Sequence, residues 1–300
     1  MKDFLKFFLG VARGPFLLLA VSCGFLGLGI AIWTGGRGSV SVLSVILIFI
    51  GSLTSHISVN AFNEYYDFRT SLDSHTQRTP FSGGSGTLQA HPELAPRGLA
   101  VAVISFLVTA GIGIYFLFTS GIWLLPLGLV GLVVIYTYTI WLVRSPILCL
   151  LAPGIGFGPL MVMGSAFALS GQYSWTALIA SFVPFFLVSD LLLLNQFPDV
   201  EPDRSVGRLH FPITIGRQKS ASIYGLFLLG AYLAILVGVI TRYLPFAALL
   251  GLGTLPLAFK AYQGAVHNAE EPGKLIPSLG LNVIINLVTP VLVGVGLLIG

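Results

Sequence analysis

Charge is what this chain has least of. Only 9% of its 300 residues are Asp, Glu, Lys or Arg, against roughly a quarter in a typical soluble domain, so most of the chain cannot form a water-facing surface. Cysteine is equally scarce. Cys23 and Cys149 are the only two, and both lie in or beside apolar stretches, which excludes a disulfide framework and leaves them as small packed hydrophobes. No Cys/His set with zinc-ligand spacing occurs, and His56, His75, His91, His210 and His267 are scattered. The polar/apolar alternation of barrel strands is missing as well, which excludes a membrane β-barrel.

Apolar sequence takes the place of what is absent, at 55% of all residues. Nine stretches, at about 15–33, 39–59, 98–118, 122–143, 147–169, 175–196, 221–240, 244–262 and 277–299, approach the ~20 residues with which a helix crosses a bilayer. Continuous apolar runs of this length form helices, because hydrocarbon offers no water to satisfy the backbone. The expectation is an all-α polytopic membrane protein, a bundle of nine transmembrane helices forming one domain over 1–300 and embedded in a lipid bilayer. Lys2, Lys6 and Arg13 precede the first stretch as in a signal peptide, but its length and lack of a small-residue cleavage site mark it as a retained helix. The 36 glycines suit close helix packing, as in Gly154-Ile155-Gly156-Phe157-Gly158.

With the N-terminus placed in the cytoplasm, thirteen Lys and Arg fall in cytoplasmic segments and only Arg37 and Arg242 on the far side, a clear positive-inside split. That split accounts for the formal net charge of +4 without a nucleic-acid partner. The carboxylates share the cytoplasmic face, except Asp190 inside the sixth stretch. Positive-inside bias makes no demand on acids, so their clustering calls for a charged chemical site. The long loops after the second and sixth stretches, at 60–97 and 197–220, point to the same face, since long loops in compact bundles are usually functional.

Two constellations sit on those loops. Asn63 and Asp67 are one helical turn apart and project together, and Asp73 joins them only if the helix ends in between, which Thr70 and Ser71 permit. Asn195, Asp199 and Asp203 repeat at four-residue spacing and share a stripe if the helix survives its prolines. In each copy an Arg follows the last Asp by five residues, as Asp73 to Arg78 and Asp203 to Arg208. Hard oxygen ligands in small clusters suit Mg2+, which takes one or two carboxylates and completes its shell with water and phosphate oxygens. Arginine beside them suits a diphosphate, whose oxygens a guanidinium grips in bidentate fashion, making Arg69, Arg78, Arg208 and Lys219 candidate clamps. Pro80-Phe81-Ser82-Gly83-Gly84-Ser85-Gly86 forms a turn whose N–H groups can approach an anion. Asp190 lies deeper, where an ionisable group is costly enough to be a functional candidate.

Asn63-Glu64-Tyr65-Tyr66-Asp67-Phe68 with Asp73, together with Asn195-Gln196-Phe197-Pro198-Asp199 and Asp203, resembles the two signature motifs of the UbiA superfamily of membrane prenyltransferases. The Asn-x-Tyr-Tyr-Asp-Phe wording and Gly156-Phe157-Gly158-Pro159-Leu160 resemble the menaquinone branch, which prenylates 1,4-dihydroxy-2-naphthoate. The resemblance implies a Mg2+-dependent transfer of a polyprenyl group from an allylic diphosphate to an aromatic acceptor, in a bacterial or archaeal plasma membrane with the site facing the cytoplasm. Asn63, Asp67, Asn195, Asp199 and Asp203 would hold metal, with Asp73 and Asp203 as further metal or proton-handling groups. Arg78 and Arg208 would hold diphosphate. Tyr65, Tyr66, Tyr136 or Tyr138 would stabilise an allylic cation through their π faces. Other acceptors of the superfamily remain open: hydroxybenzoate, homogentisate, chlorophyllide, haem, a glycerol phosphate lipid, or the isoprenoid itself in a cyclisation. Outside the superfamily, a transporter requires polar residues at the midplane of several helices, and here only Asp190 lies there. A soluble prenyl synthase has no use for nine lipid-length runs.

Overall fold

The computed structural model describes residues 2–36, 38, 40–72 and 79–300, and no strand occurs among them. The first half comprises α1 (Lys2–Val11), α2 (Leu18–Gly35), α3 (Val42–Arg69), the single turn α4 (Thr87–Ala90), α5 (Ala95–Thr119), α6 (Leu125–Thr137) and α7 (Pro146–Ile155). A π-helical segment, Gly156–Met163, carries α7 into α8 (Gly164–Ser170). The second half holds α9 (Trp175–Asn195), the short α10 (Val200–Ser205) and α11 (Phe211–Thr214), then α12 (Arg217–Ile240), α13 (Leu255–His267) and α14 (Pro272–Ile299).

Seven of these helical stretches are long and apolar enough to cross a membrane: Gly14–Gly35, Val42–Arg69, Pro92–Thr119, Pro146–Ser170, Trp175–Asn195, Arg217–Ile240 and Pro272–Ile299. Two of the nine expected runs form something shorter. Ile122–Thr137 stops before Tyr138, and the run at 244–262 begins as a 3-10 helix, Phe246–Thr254, before becoming α13. Composition reads both as apolar, but Pro126 stands in the first turn of α6 and Pro245 at the N-cap of the 3-10 segment, so each proline marks where its element starts.

The core lies where α9, α12 and α14 meet, with Leu187, Val188, Ile235, Ile285 and Val293 fully buried. Large side chains on the periphery, such as Phe118, Ile240 and Phe246, are exposed, as a lipid-facing belt requires. Gly154 and Gly158, one turn apart, set the contact between the α7–π segment and α9. A Cβ on Gly154 would stand 2.2 Å from the Phe185 carbonyl oxygen, and one on Gly158 2.5 Å from that of Ser181. Only glycine permits backbones this close. The first helix is amphipathic, with Phe4, Leu5 and Leu9 exposed and Phe7 and Val11 buried, the pattern of a helix lying in a membrane interface.

Candidate active site

The last two turns of α3 carry the first motif. The helix runs unbroken to Arg69, so Asn63 and Asp67 share a face as their spacing requires, and Ser71 at φ 57° ends it. Asp73, His75 and Arg78 lie outside the described residues. The second motif does not form one helical stripe. Helix α9 stops at Asn195, residues 196–199 form a turn, and α10 begins at Val200, because Pro198 has no N–H to give and its ring clashes with the preceding turn. The turn is pinned from two sides. Arg217 Nε donates to the Phe197 carbonyl at 2.8 Å, and Gln196 Nε2 donates to Cys149 Sγ at 3.2 Å.

Despite the break, Asn63, Asp67, Asn195, Asp199 and Asp203 line one polar pocket of about 100 Å³. Arg208 joins its two walls. Nη1 donates to Asp203 Oδ1 at 3.0 Å, and Nη2 pairs with Asp67 Oδ1, so a single guanidinium bridges carboxylates from both motifs. Burial works against the Arg208 charge, but the carboxylates of Asp67 and Asp203 outweigh it and hold its pKa above the ordinary value. The second Asp203 oxygen lies 3.0 Å from His210 Nε2. The glycine-rich turn closes over the pocket through Ser82, Gly83 and Gly84. Gly83 and Gly84, at φ 85° and 70°, occupy the left-handed region that side chains avoid.

Sequence reasoning passed over Arg13 and Glu64. Glu64 is fully buried; its Oε1 accepts from Arg13 Nε at 2.8 Å and from the Ser85 N–H at 2.9 Å, and its Oε2 from Ser85 Oγ at 2.8 Å. Arg13 Nη2 also donates to Asn63 Oδ1 at 2.8 Å, and Asn60 Nδ2 donates to the Ala12 carbonyl at 2.9 Å. One acid thus ties α1, the first motif and the glycine-rich turn together. An acid inside an apolar helix was the available signal for Glu64; no local pattern links it to a residue 51 positions upstream.

A second, apolar cavity of about 490 Å³ lies beside the first, between α3, α5, α6 and the π segment. The two share Arg13, Asn63, Phe81, Tyr138, Leu192 and Asn195 as lining residues, so polar pocket and apolar cavity meet at a common seam. Of the four tyrosines singled out, Tyr138 stands at that seam. Tyr65, Tyr66 and Tyr136 line neither cavity; Tyr136 packs edge-on against Phe62 at 5.9 Å, and Tyr65 against Tyr66 at 5.6 Å. Arg69 and Lys219 are exposed and line neither cavity.

The donor set fits a hard divalent cation. Asn195 Oδ1 and Asp199 Oδ1 are buried and find no hydrogen-bond partner among the described residues, a costly state for polar atoms that a metal would relieve. No group of three or more His, Cys, Asp and Glu stands preassembled among the described residues, which suits an ion that binds through one or two carboxylates plus substrate phosphate. Burial, then the neighbouring Asp203 charge, pushes the Asp199 carboxyl up to about 7. A raised carboxyl pKa contributes stability below the ordinary carboxylate range and loses it as pH rises through about 7. With chelator, the melting temperature is therefore expected to fall between about pH 6 and about pH 8 on account of this group. Metal needs the ionised form, so added Mg2+ should stabilise more at the higher pH. Thermal melts with and without Mg2+ at both pH values check this, and a larger Mg2+ gain at the lower pH would contradict it.

The UbiA prenyltransferase family model matches residues 18–276. A Bacillus subtilis protein named 1,4-dihydroxy-2-naphthoate octaprenyltransferase is 27% identical over 266 residues, covering 87% of this chain and 83% of that protein. The apo structure of a UbiA homolog from Aeropyrum pernix superposes with a TM-score of 0.72 at 18% identity, covering 94% of this chain and 97% of that one. A UbiA homolog from Archaeoglobus fulgidus bound to GPP and Mg2+ superposes with a TM-score of 0.64 at 12% identity, covering 96% and 99%. A family match over most of the chain and a shared helical fold, together with the site just described, place this chain in the UbiA prenyltransferase family.

Proposed function

We propose that the protein transfers a polyprenyl group from an allylic diphosphate to 1,4-dihydroxy-2-naphthoate, with Mg2+ held between its two Asn/Asp motifs. The observation that carries this reading is the seam, where a pocket lined by carboxylates opens into an apolar cavity through six shared residues. A prenyl diphosphate has the same division, one charged end and one greasy end, joined at the carbon that reacts.

Asp199 and Asn195, whose Oδ1 atoms find no protein partner among the described residues, would be the first ligands of the ion, with Asn63, Asp67 and Asp203 completing the set. Bound there, Mg2+ would draw off the charge that develops on the departing diphosphate. Arg208 and Arg13 would turn from the motif oxygens they now hold toward the phosphate oxygens, as guanidinium groups favour. Arg69 and Lys219, exposed outside the pocket, would add positive charge on its aqueous side. Tyr138 would offer its π face to the allylic cation, while the apolar walls keep water from it. The C–O bond to diphosphate breaks, a ring carbon of the acceptor takes the allylic carbon, and the ring regains aromaticity by releasing the proton or CO2 held at that carbon.

The naphthoate acceptor rests on the activity named for the Bacillus subtilis relative and on the motif wording. Nine membrane passes would require the two shorter helical runs to cross as well. Phe246–Thr254 and Leu255–His267 would together rise about 38 Å if coaxial, enough for a ~30 Å hydrocarbon core. The cation asymmetry favours a cytoplasmic N-terminus and a cytoplasm-facing site in a prokaryotic plasma membrane.

The test is a panel of aromatic acceptors offered to purified protein in detergent with geranylgeranyl or longer diphosphates and Mg2+, read by product mass. Prenylated naphthoquinol from the naphthoate alone is expected, and chelation should abolish it. A product only from hydroxybenzoate, homogentisate or another acceptor would overturn the acceptor assignment, and turnover undiminished by chelator would overturn the metal.

A further inference from the structure

Asp190 is fully buried within α9 and lines neither cavity. Neither of its carboxylate oxygens has a hydrogen-bond partner among the described residues, and it forms no ion pair there. Around it are polar groups from two other helices. Asn282 Nδ2 of α14 donates to the Asp190 backbone carbonyl at 3.3 Å. Asn286, one turn further, donates to the Asn282 carbonyl at 3.0 Å. Tyr224 is fully buried on α12, which packs against α9. Both the Tyr224 hydroxyl and Asn286 Oδ1 are buried without a partner.

The elements packed on α9 (α2, α7, the π segment, α12 and α14) bring no counter-charge to this depth. Their cations are Arg217, engaged with Phe197 and Glu270, the exposed Lys219, and Lys274, paired with Glu271. An ionised carboxylate without a hydrogen bond or counter-ion is the costliest group a protein interior can hold.

Counting donors and acceptors identifies what is missing. With the orphaned Ser189 hydroxyl set aside because it stands against Gly154 of α7, three orphaned acceptors, the two Asp190 oxygens and Asn286 Oδ1, stand on these packed helices against one orphaned donor, the Tyr224 hydroxyl. One additional proton on Asp190 turns an acceptor into a donor and balances the set at two of each. We infer that Asp190, Tyr224, Asn282 and Asn286 form an internal proton-binding site in which Asp190 is a neutral acid. Tyr224 donates to its carbonyl oxygen, and it donates in turn to Asn286 Oδ1, directly or through a bridging water. The bound proton makes the cluster a polar clasp holding α9, α12 and α14 in register, and α9 delivers Asn195 to the seam five residues later.

Infrared spectra of the full-length protein in detergent test this. Wild type minus Asp190→Asn is expected to show a protonated-carboxyl C=O stretch that persists from about pH 5 to about pH 9 and moves when Tyr224→Phe removes its donor. Asp190→Asn, neutral and of the same shape, should keep prenyl transfer within about twofold of wild type, whereas Asp190→Ala should melt several degrees lower. Replacing Na+ by choline should leave the wild-type melting temperature unchanged, a measurement that needs no variant. Ionised-carboxylate stretches in the difference spectrum, an unmoved band in Tyr224→Phe, or wild-type stability that climbs with Na+ would each overturn the inference, the last in favour of a bound metal cation.

Discussion

Asp199→Ala is expected to lower the rate of allylic diphosphate consumption by about 10³-fold or more, the scale on which transition-state charge stabilisation is lost, without lowering the melting temperature. The two halves of this result have separate causes. Asp199 has no ion pair among the described residues, and its Oδ1 is buried and orphaned, so in the metal-free protein the side chain gives little to stability at neutral pH. What it would give, on the proposed reading, is an oxygen for the ion that takes up the leaving group's charge. Single-turnover consumption in detergent, repeated over a Mg2+ titration, measures the first half, and a thermal melt the second. Wild-type turnover in this variant and in Asp67→Ala would sink the metal assignment.

Arg208→Ala should behave in the opposite way and unfold the protein readily. The side chains of Arg208, Asp67 and Asp203 are 18%, 5% and 6% exposed, and removing the shared cation strands two buried carboxylates. Breaking a buried pair in this manner costs roughly 3–5 kcal/mol. Arg208→Lys restores charge but not the two-armed reach and should recover only part of the loss. Asp67→Asn in the Arg208→Ala background should recover another part, because the stranded charge rather than the missing contact makes the larger contribution. Equilibrium unfolding in mixed detergent gives these differences. Near-additivity of the Arg208 and Asp67 substitutions would show that the bridge does not couple the motifs.

How much of this was legible in the sequence depends on the distance over which each feature is determined. The all-helical class and the long apolar spans follow from composition and run length, which are local, and so does the Asn63/Asp67 pair, which needs one unbroken turn of α3. The end of that helix at Thr70 and Ser71 was legible for the same reason. The stripe of Asn195, Asp199 and Asp203 depended on Pro198, and the proline broke it. The three still reach one pocket because Arg217 and Cys149, both outside the motif, pin the intervening turn. Which tyrosine reaches the seam turns on where α6 stops. Tyr136 lies within that helix and packs on Phe62, while Tyr138 just past its end lines both cavities. Arg13 was out of reach because its partners are some fifty residues away in sequence, and only the folded chain brings the first helix back onto the motif.

On the proposed reading, the reactive carbon would sit where two unlike compartments abut, and the products would leave by different routes. Inorganic diphosphate, stripped of its tail, has affinity only for the charged chamber and the aqueous side beyond it. The newly lengthened ring compound is carried by its chain toward the hydrocarbon side. Neither product would then obstruct the exit of the other, because the two adjoining cavities divide water from oil.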